Sequence, residues 1–289
     1  MMIVLAGAAN ARAELLIGLT TGNQLIRFDS GTPGTVSAGV AVNGLQAGES
    51  LLGIDLRPAD GSIYGLGSSS RLYRIDAATG AATAVGAPGA FALSGTAFGF
   101  DFNPTVDRIR VVSDTGQNLR LNPNDGALAA TDGPLAFAAG DVNAGATPNA
   151  VGSAYTNNFA GATTTTLYNL DARLGALLTQ NPPNAGTLNT VGSLGVPVSG
   201  LAGFDISGPT GLAYAALAGA TGGPSVLYRI NLAAGAATAL GTIGGGVPLR
   251  GLTVATAVPE PGSLALLGLG AIALAGAVVR KRSRAKAGA

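Results

Sequence analysis

The chain returns five times to one short pattern, an apolar strand that ends in Asp or Asn: Leu25–Asp29, Leu72–Asp76, Asn118–Asn122, Leu167–Asp171 and Leu227–Asn231. Successive copies start 47, 46, 49 and 60 residues apart. A glycine follows four positions later in the last four (Gly80, Gly126, Gly175, Gly235), and Gly31 or Gly34 stands in for it in the first. Asp or Asn followed by Gly is turn chemistry, because the side chain bonds its own backbone and Gly accepts positive φ. A second pattern precedes the first: Gly53-Ile54-Asp55-Leu56, Gly99-Phe100-Asp101-Phe102 and Gly203-Phe204-Asp205-Ile206, with Gly152-Ser153-Ala154-Tyr155 a degraded copy. Between the two lies another strand, such as Ser62–Leu66, Arg108–Ser113 or Leu212–Leu217, and a fourth follows the turn, such as Ala81–Val85 or Ala236–Leu240. Four short strands in each period of roughly 45–50 residues predict a β-propeller blade.

The ends of the repeat predict how the ring closes. The first unit, Leu15–Val42, lacks the Gly-x-Asp strand, and the missing piece follows the fifth unit as Gly251-Leu252-Thr253-Val254. A C-terminal strand that completes the first blade leaves no open sheet edge. The expectation is an all-β, five-bladed propeller over 14–256, with blades near Glu14–Val42, Ser50–Val85, Ser94–Ala138, Asn149–Val191 and Gly200–Ile243. The segments Ala138–Asn149 and Gln180–Gly186 read as polar turns, and Thr163–Thr166 reads as the start of a strand.

Composition narrows the function. With 46 glycines, 47% hydrophobic residues and 11% charged residues, the chain is too apolar for a disordered one. Arg280, Lys281, Arg282, Arg284 and Lys286 carry five positive charges, and taking them from the net charge of +1 leaves −4. An acidic body with no lysine offers no basic face to nucleic acid. It also excludes a phosphate loop that needs Lys. The sequence has no His and no Cys, which removes Ser-His-Asp and Cys-His catalysis and the commonest soft-metal ligands.

The two ends read as targeting segments. Residues 1–13 look like the tail of a secretory signal peptide, with an apolar run Met1–Ala9 and a small-x-small site Ala11-Arg12-Ala13. A basic leader is expected further upstream. At the other end, Val258-Pro259-Glu260-Pro261-Gly262 precedes the apolar run Ser263–Val279, and the basic residues Arg280, Lys281, Arg282 and Arg284 follow at once within 280–289. The run is just long enough for a transmembrane helix. The cations act as a cytoplasmic stop signal and put the propeller across the membrane. This three-part tail, 257–289, resembles the PEP-CTERM sorting signal of Gram-negative bacteria, with Val258, Pro259, Glu260 and Pro261 as the processing motif. The resemblance implies cleavage near Pro259–Pro261 by an exosortase and delivery from an inner-membrane intermediate to the cell surface or an extracellular polysaccharide matrix. The body resembles a family defined only as a domain of unknown function (number 4394), through Gly99–Pro104, Asp107–Val112 and Gln117–Pro123. That resemblance brings no activity with it.

Three chemistries remain open. Asp55, Asp101 and Asp205 recur at one place in successive blades and can point to the axis. They would serve either a hydrolase or lyase acting on polysaccharide, which needs paired carboxylates, or an architectural role in bonding neighbouring backbone amides. Glu49, in a loop, is the only glutamate of the body besides Glu14, and no Trp is present to stack on a sugar. Calcium could use the oxygens of Asn122-Pro123-Asn124-Asp125-Gly126, although Gly126 falls where an EF-hand has its third ligand and a hairpin turn explains the residues as well. Arg108 and Arg110 share one face of a strand, and with Asn118 and Arg120 they form a candidate surface for an acidic saccharide, unless they pair with Asp101, Asp107 or Asp114. The reading is a non-enzymatic exported propeller that binds polysaccharide or protein and uses no cofactor.

Overall fold

The computed structural model describes residues 13–255 of the 289. These form one compact unit of five sheets, with no α-helix among the described residues. The processing motif, the apolar run, the basic tail and residues 1–12 of the leader segment lie outside the described residues. Among those described, no helix is long and apolar enough to cross a membrane.

The first blade starts with β1 (Leu15–Thr20), β2 (Gln24–Asp29) and β3 (Val40–Ala41). The second comprises β4 (Leu51–Leu56), β5 (Ile63–Gly67), β6 (Arg71–Ile75) and β7 (Ala82–Val85). The third comprises β8 (Phe98–Asn103), β9 (Arg108–Ser113), β10 (Asn118–Leu121) and β11 (Leu128–Thr131). The short β12 (Ala136–Phe137) then crosses over to the fourth blade, which continues as β13 (Ala150–Tyr155), β14 (Leu167–Asp171), β15 (Ala176–Gln180) and β16 (Thr187–Ser193). The fifth holds β17 (Ala202–Ile206), β18 (Ala213–Ala218), β19 (Ser225–Ile230) and β20 (Ala237–Thr242). Finally β21 (Leu249–Val254) pairs antiparallel with β1, Leu16 opposite Val254, and becomes the innermost strand of the first blade. The five-bladed ring and its closing strand are as the repeat predicts.

Local chemistry forms the turns. The Asp76 carboxylate accepts the Ala78 and Thr79 amides at 2.8 and 2.9 Å, and Asn231 accepts those of Ala233 and Ala234 at 2.9 and 3.1 Å. Gly80 takes φ +76°, and a Cβ there would lie 2.0 Å from the Ala41 carbonyl oxygen of the preceding blade. Its glycine therefore serves both the turn and the seam between blades.

The apolar core is divided into five, one cluster at each blade interface. Leu25 and Leu19 meet Ile54 and Tyr73, Leu66 and Leu72 meet Phe100 and Leu119, Val112 meets Leu178 and Leu188, Leu177 meets Phe204 and Leu217, and Leu227 meets Phe28 and Leu16. A blade is thus covered on both faces, which is why β5, β13 and β18 are buried along their whole length.

Three expectations are corrected. Ala136–Phe137 does not end the third blade but pairs in parallel with Thr187–Leu188, as a fifth strand of the fourth. Thr163–Thr166 precede β14 without joining it: the Thr166 amide goes to the Thr156 hydroxyl (2.8 Å), and the Thr156 carbonyl accepts the Thr165 hydroxyl instead (2.6 Å). Gln180 is buried, and its amide donates to the Pro183 carbonyl (2.6 Å) and Asn118 Oδ1 (3.3 Å).

Candidate functional site

The innermost strands β21, β4, β8, β13 and β17 pack successively around the axis. Their shared glycines make that approach close. A Cβ on Gly99 would lie 2.7 Å from the Ser153 amide nitrogen, and one on Gly203 would lie 2.6 Å from that of Leu252. Two residues on, the next side chain facing the same way reaches the following blade. Asp55 Oδ2 accepts the Phe102 amide at 2.8 Å, Asp101 Oδ1 the Tyr155 amide at 3.0 Å, and Asp205 Oδ2 the Val254 amide at 2.6 Å. In the first blade Thr253 does the same, its hydroxyl accepting the Leu56 amide at 3.2 Å. The fourth blade has Ala154 there, and Asp205 Oδ1 takes up the Ile206 amide at 2.6 Å. Four of five blades are latched to the next by one side chain.

The latches bring three carboxyls together. Asp55, Asp101 and Asp205 are at most 1% exposed, and one oxygen of each lies within 4.8 Å of the others. Thr253 Oγ1 stands 2.9 Å from Asp55 Oδ1 and 3.0 Å from Asp205 Oδ2, and its single hydrogen serves only one of them. Asp101 Oδ2 is buried with no partner. Burial pushes the Asp55 carboxyl well above the usual carboxylate range, and the Asp205 charge adds to it. Asp101 is raised in the same way by burial, then by Asp55 and Asp205. For Asp205 burial outweighs the bonds from Val254, Thr253 and Ile206 and lifts it to about 6. The convergence of the three matches the sequence reading, and so does the bonding of neighbouring amides.

The arginine surface is different from what the sequence suggests. Arg110 is 2% exposed and Asn118 1%, so neither is a surface group. Arg110 donates to Asp132 Oδ2 (2.6 Å), Asn118 Oδ1 (2.7 Å), Asn184 Oδ1 (2.8 Å) and the Tyr155 hydroxyl (3.3 Å), as the centre of a network between the third and fourth blades. Arg120 clamps the same Asp132 through both its oxygens at 2.7 and 3.0 Å. Arg108 donates to the Asp107 carbonyl at 2.9 Å. The expected acidic partners serve elsewhere: Asp107 pairs with Arg57, Asp114 with Thr96, and Asp101 lies on the axis. Glu49 is also taken up, accepting the Ser69 amide at 2.9 Å and the hydroxyls of Ser69 and Tyr73. Asn122–Gly126 forms the hairpin turn, with the Gly126 amide on the Asn122 carbonyl at 2.9 Å.

Two open grooves were missed by sequence reasoning. One of about 580 Å³, beside the second blade, is lined by Arg27, Ser62, Arg74 and Asp76. Its equivalent on the fifth blade, about 330 Å³, holds Arg229, Asn231 and Thr238. The signal was in the repeat register: the residue two before the turn Asp or Asn is Arg27, Arg74, Arg120 and Arg229 in four of five units, and Asn169 in the other.

Comparison with known proteins gives two matches along the chain. The profile of the domain of unknown function DUF4394 matches residues 24–253, and that of the PEP-CTERM protein-sorting motif matches 257–282. No curated protein matches. Among solved structures, the chain is similar to one in a nidogen/laminin complex at TM-score 0.41 and 15% identity, covering 84% of this chain and 98% of that one. An auxiliary nutrient binding protein from Bacteroides ovatus gives 0.41 and 13% identity, covering 69% and 55%. The dihydro-heme d1 dehydrogenase NirN gives 0.38 and 13%, covering 82% and 44%. This chain therefore spans about half the length of the last two.

Proposed function

The chain belongs to the DUF4394 family, and from that membership together with its PEP-CTERM motif we propose that it is a non-enzymatic propeller displayed at the cell surface or in the extracellular matrix, where it binds polysaccharide or another protein. The motif marks the chain for export and for exosortase processing from a membrane-held intermediate. One observation carries the reading: the sorting motif begins at residue 257, two residues after the compact ring ends at Ala255. The proposed organisation is a leader over 1–13, the propeller over 14–256 and the sorting signal over 257–289.

A binding role is supported by how the polar groups are used. The axial carboxyls are sealed and bonded to backbone amides, whereas a glycosidase needs two carboxyls across an open sugar site. The open grooves carry Arg74 and Arg229, which offer forked donors to acidic or hydroxyl-rich ligands. The test is mass spectrometry of the mature C-terminus, on protein recovered from the native envelope and medium, with co-fractionation against the cell's exopolysaccharide. A terminus near Pro259–Pro261 and co-migration with the polysaccharide are expected. An intact Ala289 in the inner membrane would overturn the sorting claim, and turnover of the polysaccharide would overturn the non-enzymatic one.

A further inference from the structure

We propose that the ring axis is a binding site for a hard divalent cation, calcium by preference, held by Asp55, Asp101 and Asp205. The latch role does not by itself explain aspartates. Thr253 holds the Leu56 amide at 3.2 Å from the equivalent position with a neutral side chain, so latching needs no charge. Three blades nonetheless use a carboxyl, whose latch takes one oxygen (Asp55 Oδ2, Asp101 Oδ1, Asp205 Oδ2), while the second oxygen of Asp55 meets the Thr253 hydroxyl and that of Asp205 the Ile206 amide. The second oxygen of Asp101 is buried without any donor, and its neighbour around the ring is Ala154, whose methyl group supplies none.

A further unpartnered oxygen lies beside the cluster. Asn158 comes from the loop after β13, and its amide nitrogen stands 3.5 Å from Asp205 Oδ1 while its own Oδ1 is buried and unbonded. Among the described residues every salt bridge uses Arg57, Arg110 or Arg120, none of them to these three aspartates. Three carboxyls are an all-oxygen donor set, the kind that selects calcium, magnesium or manganese over softer metals. Carboxyl oxygens within 4.8 Å of one another suit calcium, whose ligands sit about 2.4 Å from the ion and so up to about 5 Å apart. On the side of Gly53, Gly99 and Arg250 the axis holds a cavity of about 10 Å³. This site is separate from the Asn122–Gly126 turn that the sequence suggested for calcium.

The experiment uses mature protein purified from the native envelope without chelator. Its metal content is measured by plasma mass spectrometry, and thermal unfolding is followed in EGTA and on adding back calcium chloride. About one calcium per chain is expected. Calcium at a hundredfold its Kd should raise the Tm by about 5–10 °C over EGTA. Asp101→Asn keeps the shape and the Tyr155 latch but removes one charge, so calcium affinity should fall at least about tenfold. A wild-type protein with no stoichiometric metal and the same Tm in EGTA and calcium overturns the proposal, whether or not the variant folds. So does an Asp101→Asn protein that keeps the full calcium response.

Discussion

Gly203 and Asp205 act as a unit, the first letting β17 touch the closing strand and the second bonding it. A Cβ at Gly203 would stand 2.6 Å from both the Gly251 carbonyl carbon and the Leu252 nitrogen, which are backbone and cannot swing aside. Gly203→Ala should therefore cost about 3 kcal/mol, read as a Tm lower by about 6–12 °C. Gly140→Ala, where nothing lies within 4 Å, is the control and should leave Tm unchanged. Equal effects would refute the close-approach argument. Asp132 gives a pH signature of its own. Burial raises its carboxyl, but hydrogen bonds from Arg120 and Arg110 outweigh burial and hold it below the usual range. A depressed carboxyl adds stability that is present above its unfolded value, about 3.9, and is lost as pH falls through the folded one. Asp132→Asn should cost about 3 kcal/mol at pH 7 by leaving Arg110 without its counter-charge. Its denaturant midpoint should also fall less steeply than wild type below about pH 4. Parallel curves would exclude the pairing as a source of stability. The sequence made the axial aspartates legible because they recur in register. It could not show the fate of Arg110, since Asp132 and Asn184 lie 22 and 74 residues away along the chain and only the packing of two blades brings them together.

At the level of elements, the strands were readable because each ends in its own turn chemistry, which depends on neighbours in sequence. The turn glycines were readable only in part: φ > 0 is a local demand, whereas the contact of Gly80 with Ala41 belongs to the seam with the blade before. The crossover of Ala136–Phe137 into the fourth blade left no local sign, as two residues are too few to show a period. The closing strand is the element with most depending on it. It supplies the pairing for β1, the Thr253 latch and the Val254 amide that Asp205 holds. A chain ended after Gly246 should expose the β1 edge and lose cooperative unfolding, while one ended after Ala255 keeps it, by calorimetry and size-exclusion chromatography. Two identical transitions would show that closure by β21 is dispensable.

At the largest scale, residues 13–255 form a ring with one face for both of their ends. Leu16 lies opposite Val254, so the chain enters and leaves the propeller at the same end of the first blade. The turns that follow the third strand of each blade, with Asp76 and Asn231, open toward that end, and so do the two grooves. The connections from one blade to the next, such as 42–50 and 86–97, run at the other. A load drawn through residue 255 and resisted at those connections runs along β21, so its hydrogen bonds to β1 are strained together in shear. The same load applied between residues 14 and 255 opens that ladder one bond at a time from Val254. In a single-molecule pulling experiment the first geometry should rupture at clearly higher force than the second, and equal forces would contradict it. The seam that makes the ring is thus weak to unzipping between residues 14 and 255 and strong to a load drawn along β21.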